Sequence, residues 1–149
     1  MATTPLPPDF TEFLKSLSSH GVEYLLIGGY AVGLHGFPRA TADLDVWVAI
    51  SPENAERIVE ALREFGFATP DLTPSLFLIE DKVVRMGVPP LRIDILTSIE
   101  GVHFADCFRR RQVVTIGDLE ISLISLADLK ANKKASGRHQ DLTDLDRLP

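Results

Sequence analysis

Residues 28–48 read GGYAVGLHGFPRATADLDVWV, and their order decides the fold. The apolar run VEYLLI before Gly28 has strand length. It breaks at Gly28-Gly29, and YAVGLHG then carries helical composition for about two turns. This predicts a strand, a tight glycine turn and a helix. Without side chains, Gly28 and Gly29 let backbone N–H groups come within reach of a phosphate at the helix start, although an ordinary glycine turn has the same composition. After the loop FPRATA, the run DLDVWVAI is rich in β-branched and aromatic residues. Alternation in a strand puts Asp43, Asp45, Trp47 and Ala49 on one face and Leu44, Val46, Val48 and Ile50 on the other. The two carboxylates then point the same way within about 7 Å. Like charges that close call for a divalent cation or an arginine, unless the strand end is simply exposed.

Working outward, LRIDILT (residues 91–97) places Asp94 inside a second apolar strand, with Ile93 and Ile95 on the opposite face. Three carboxylates from two strands suit a two-magnesium site, because magnesium takes oxygen ligands and leaves positions open for phosphates. A structural ion pair of Asp94 with Arg92 or Arg39 is the competing reading. The remaining pattern predicts a helix from Asp9 towards Gly21 with Phe10, Phe13, Leu14 and Leu17 on its apolar face. A second runs from the cap Ser51-Pro52-Glu53 to Gly66. SLFLIE, KVVRM and LRIDILTS read as three short strands separated by Asp81 and by Gly87 with Pro89-Pro90. A short helix near Phe104–Arg109 follows, then a hairpin QVVTI/LEISLI about Gly117-Asp118. Ser125 with Asp128 opens a helix to Gly137, and RHQDLTDLDRL continues as another. The fold class expected is α/β (α+β), a small mixed sheet flanked by helices in a single domain over 1–149, with its core at 22–97 and a helical segment at 125–148.

The 149 residues carry 21 acidic against 15 basic side chains, a formal charge of −6, which excludes a generally basic nucleic-acid binder. Ten acids and four bases lie in the stretch ending at Ser75, whereas eleven of each follow it, so phosphate is more welcome in the second half. Arg109-Arg110-Arg111 is the densest positive cluster, an ordinary basic turn or a surface for an RNA or protein acceptor. One cysteine, Cys107, excludes an intrachain disulfide framework and reads as a small buried hydrophobe. MATTPLPPDF has no basic leader region and no stretch approaches a membrane span, so a cytoplasmic protein without a membrane role is expected, its oligomeric state open. His35 reads first as a packing or capping histidine. Trp47 reads as core.

The run from Gly28 to Asp45 resembles the polymerase-beta-like nucleotidyltransferase signature, a glycine pair, a helical spacer and D-x-D, with Asp94 where that superfamily has its third carboxylate. Within it the chain looks most like minimal bacterial nucleotidyltransferases related to the abortive-infection toxin group. The shared pattern is carried by Gly28, Gly29, Ala31, His35, Gly36, Arg39, Thr41, Asp43 and Asp45. KKASGRHQDLTDL (133–145) is similar to the group's later lysine and R-x-x-D-x-x-D-L segment. The resemblance covers Val22–Ile95 well and Leu126–Leu148 moderately. It implies a magnesium-dependent enzyme moving a nucleoside monophosphate from an NTP to a hydroxyl of an RNA or protein acceptor, with a toxin–antitoxin pair as one setting for it. It further implies metal ligation and catalysis by Asp43, Asp45 and Asp94, with Lys133 catalytic as well. Gly28, Gly29, Arg39, Thr41, Lys133, Arg138 and Asp141 are implied at the nucleotide, with Asp144 a weaker candidate. A small-molecule acceptor of aminoglycoside type, or an idle NTP- or partner-binding module, are the alternatives. The chain departs from the many members with Gly-Ser, so a hydroxyl at the phosphates has to come from Tyr30 or Thr41, or else backbone serves.

Overall fold

The computed structural model describes residues 6–88 and 91–149; Pro89-Pro90, read above as a separator, lies outside the described residues, as does the start MATTP. Helix α1 (Pro8–Ser19) leads into strand β1 (Tyr24–Ile27), helix α2 (Gly28–Leu34) and strand β2 (Asp43–Val48). Helix α3 (Pro52–Phe65) follows, then strands β3 (Val83–Met86) and β4 (Arg92–Leu96). The chain continues through α4 (Phe104–Arg109), the hairpin β5 (Gln112–Ile116) and β6 (Leu119–Leu123), α5 (Leu126–Ser136) and α6 (His139–Arg147). The strands form one mixed sheet in the order β3-β4-β2-β1-β6-β5, the α/β architecture expected.

The segment SLFLIE differs from its expectation. Pro74–Leu78 forms a 3-10 turn, not a strand, with only Phe77 buried. Pro74 at its first position, following an extended Thr73, favours a helical turn. Leu78 and Ile79 remain largely exposed, so the segment lacks the alternating buried face that would seat it in a sheet.

Local chemistry accounts for the rest. Ser51 Oγ accepts from the Asn54 N–H and Ser125 Oγ accepts from the Asp128 N–H, so the caps read from sequence are formed. Leu44, Val46 and Val48 are fully buried, whereas the other face of β2 divides in two. Trp47 is covered edge-to-face by Phe104 of α4, at 5.1 Å between centroids, while Asp43 and Asp45 stay partly open. Helices α1 and α3 pack on one another, tied by Ser16 Oγ donating to the Ala61 carbonyl at 2.9 Å. The side chain of Asn54 accepts from the Glu23 N–H and donates to the carbonyls of Glu23 and Ala49, pinning α3 to the adjoining ends of β1 and β2. The sheet is thereby fixed at one end, and the acids stand towards the other.

Candidate active site

Strand register assembles the site. β2 and β4 run parallel with Asp45 opposite Asp94 and Asp43 opposite Arg92, while antiparallel β3 sets Arg85 opposite Asp94. Residues opposite one another share a face, so Arg85, Asp94 and Asp45 form one row across three strands. The row opens into a cleft of about 570 Å³, whose walls include Gly28, Asp45, Arg85, Asp94, Lys133 and Arg138.

Two acids of the cluster have guanidinium partners. Asp94, 7% exposed, takes a two-pronged pair from Arg85, Nε to Oδ1 at 2.8 Å and Nη2 to Oδ2 at 3.1 Å. Asp43 accepts from Arg92 Nη2 at 2.9 Å, and Arg92 Nε is buried without a hydrogen-bond partner among the described residues. Among the described residues Asp45 has no such partner. Burial, then repulsion from Asp94 and Asp43, push its carboxyl up to about 7, against the pull of Lys133 and Arg138. Among the described residues no three His, Cys, Asp or Glu side chains converge on a metal-coordinating geometry. The donor set fits a hard divalent cation all the same. It consists of carboxylate oxygens on one sheet face, and one of them is left without the positive charge it requires.

Each of the two glycines makes room for a neighbouring side chain. Gly28, at φ +72°, leaves room for Asp45, because a Cβ there would collide with Asp45 Oδ2. A Cβ on Gly29 would collide with Thr41 Oγ1. Gly28 thus lets a carboxylate close on the start of α2, and Gly29 lets the Arg39–Thr41 loop close on the helix. Tyr30 is 4% exposed and donates to the Thr41 carbonyl at 3.4 Å, so its hydroxyl serves the loop and not a phosphate.

The C-terminal helices carry a second charged cluster. Lys133, on α5, reaches Asp141 at 3.1 Å and Asp144 at 3.0 Å on α6, all three buried. Arg39 adds a two-pronged pair to Asp144, at 2.7 and 2.8 Å. Arg138 donates through Nε to Asp141 at 2.7 Å. Burial alone would raise both acids, but these hydrogen bonds outweigh it and hold Asp141 and Asp144 below the usual carboxylate range. Of the residues read from sequence, Gly28, Asp45, Asp94, Lys133 and Arg138 therefore meet at the cleft. Arg39 and Asp141 instead anchor the α6 network, while Gly29 and Thr41 support the loop beside it.

The other marked residues have structural partners. His35 Nε2 bonds the Ile124 carbonyl at 2.7 Å. Arg109 pairs with Asp106, Arg110 takes both oxygens of Asp128, and Arg111 lies 4.0 Å over the Phe108 ring, so each arginine of the exposed triplet has a partner on α4 or at the start of α5. Cys107 is buried, and burial with Asp128 beside it pushes the thiol up to about 11, an inert group. Arg85 is a residue that the sequence reading does not mark. Its signal is a base in the middle of the apolar strand VVRM, next to a strand with a lone mid-strand acid.

Two solved structures share this fold. One is a candidate nucleotidyltransferase from Thermotoga maritima, with TM-score 0.63, 15% identity, and 97% of this chain and 94% of the other covered. The second is an antigenic nucleotidyltransferase-like protein from Paracoccidioides brasiliensis, with TM-score 0.55, 16% identity, and 96% and 77% covered. No curated protein matches the chain. The family model described as aminoglycoside-2''-adenylyltransferase matches residues 9–148, and on that near-complete match the chain belongs to this family of nucleotidyltransferase fold.

Proposed function

We propose that this protein is a divalent-metal-dependent nucleotidyltransferase, transferring a nucleoside monophosphate from an NTP to an acceptor hydroxyl with release of pyrophosphate. The observation that carries the reading is Asp45. It sits beside Asp94 in the cleft with no guanidinium of its own and its carboxyl is pushed up to about 7. A buried acid cluster that is one positive charge short has the electrostatics of a cation site. Asp43, Asp45 and Asp94 would hold magnesium, which supplies charge neutralisation at the transferring phosphate and a more acidic acceptor hydroxyl. In this chain Asp94 stands to accept the acceptor's proton. Arg138, whose side chain is 77% exposed, and Lys133 face the cleft as the cations for the triphosphate. Lys133 also holds Asp141 and Asp144, so it couples the nucleotide wall to α6.

For the acceptor, the observations favour a small cationic polyol over RNA or a protein. Asp81 and Glu100 stand at the cleft beyond the catalytic acids, and the arginine triplet that would greet an RNA is engaged within the chain. The description of the matching family points the same way. The test is pyrophosphate release from each of the four NTPs with magnesium, offered aminoglycosides or RNA in turn. Release that needs an aminoglycoside and is lost in Asp45→Asn supports the reading; no release with any acceptor, from protein that is folded, overturns it.

A further inference from the structure

We propose that Arg85 is an exchange arm, neutralising Asp94 while the site is metal-free and passing to the triphosphate when a divalent cation takes the Asp94 oxygens. The inference rests on the nucleotidyltransferase reading above and adds a residue that the reading does not use.

Register puts Arg85 directly opposite Asp94, and its two-pronged pair uses both carboxylate oxygens. Those are the oxygens a cation would need, so guanidinium and metal compete for one group. Charge supports an exchange. Arg85 and Arg92 each neutralise one carboxylate, and Lys133 and Arg138 act on Asp45 across the cleft, so a divalent cation added while Arg85 stays in place overshoots the negative charge of the row. A triphosphate arriving with the metal offers the displaced guanidinium several oxygens in the same cleft. Arg85 is also the arginine able to move. It lies on edge strand β3 with its side chain 55% exposed and lines the cleft, as does its strand neighbour Val83. Arg92 is more enclosed, 30% exposed, with its Nε buried.

Exchange makes metal and nucleotide binding cooperative, because each removes a cost of binding the other. The experiment measures Mn2+ binding by electron paramagnetic resonance without nucleotide, and binding of an α,β-methylene analogue of ATP at saturating Mn2+ by calorimetry. The chains compared are wild type, Arg85→Gln, Arg85→Lys and Asp94→Asn, each first shown to be folded by circular dichroism. In Arg85→Gln, Mn2+ binding without nucleotide should tighten about threefold to fivefold, the scale of a half-exposed ion pair, while the analogue binds more weakly by a similar factor. Arg85→Lys should fall between, and Asp94→Asn should bind Mn2+ more weakly than wild type. A merely structural Arg85 would not move the two affinities in opposite directions. Wild-type protein binding metal and analogue together while Arg85→Gln matches it in both overturns the exchange and leaves the nucleotidyltransferase reading standing. Tighter metal with unchanged analogue binding overturns it too. Wild type binding neither ligand, even together, overturns both.

Discussion

The acid row on β2 and β4 and the ion network between α5 and α6 are both built from aspartates and basic side chains, with opposite outcomes. In the network Lys133 is shared by Asp141 and Asp144, Arg39 holds Asp144 and Arg138 holds Asp141. Both acids are held ionised. In the row the arginines stop one short, and Asp45 is pushed towards its neutral form. A fully paired cluster holds elements together, whereas a cluster lacking one cation keeps an unmet demand that a ligand can satisfy. Folding supports the second at a cost recovered when the ligand binds.

Replacing Asp45 sharpens this contrast most. Asp45→Asn should lower transfer by about a thousandfold or more, since a bound metal is worth several kcal/mol at the transition state. The same change should raise the melting temperature of the metal-free protein at pH 8, where the wild-type carboxylate repels Asp94 and Asp43. A lower melting temperature would break the idea that the row carries uncompensated charge. Next in size is Asp144→Ala, which strands Arg39 and leaves Lys133 to Asp141 alone; urea unfolding should register a loss of about 3 kcal/mol, as for other buried pairs broken from one side.

The two regions should also titrate with opposite signs. Asp45 has a folded value of about 7 against 3.8 for the free side chain, so between those values the folded protein holds a proton that the unfolded chain has released. Its contribution to stability therefore falls as pH rises from about 4 to 7, by up to about 1.4 kcal/mol per pH unit, and the slope should vanish in Asp45→Asn. Asp141 and Asp144 lie below their ordinary value, so what they add is complete above about pH 4 and is lost as pH drops through their lower folded values. Unfolding curves collected from pH 3 to 8 separate the two. The smallest effect belongs to Arg109→Ala with Arg111→Ala, which should leave nucleotide and RNA binding unchanged in filter-binding assays. A clear loss of RNA affinity would return that surface to consideration as an acceptor site.

What is legible in the sequence is what is local. The alternation of DLDVWV, the cap Ser51-Pro52 and the turn Gly117-Asp118 each specify their element within a few residues, and each forms. Asp94 stands out because an acid inside an apolar strand needs a reason. SLFLIE is ambiguous because a run of apolar residues without strict alternation suits a 3-10 turn after proline as well as a strand. Ion-pair partners are hidden for a different reason. Arg39 finds Asp144 at a separation of 105 residues, and Arg85 finds Asp94 only through the register of β3 on β4. Nor does spacing tell that Gly28 and Gly29 make way for Asp45 and Thr41, since that depends on how closely β2 and its leading loop approach α2.

The Arg39–Asp144 pair also sets an order of assembly. The loop holding Arg39 and Thr41 is synthesised long before α6, and until α6 arrives its guanidinium has no buried carboxylate to close on. The strands β1 and β2 and helix α2 therefore precede in the chain the residues that complete the cleft, Lys133 and Arg138 in its wall and Asp144 as the partner of the loop beside Gly29. Chains interrupted before α6 would carry the acids of the sheet and Lys133 without Asp141 and Asp144, the carboxylates that hold Lys133 and Arg39. The presence of α6 is in this way a condition for a finished cleft wall.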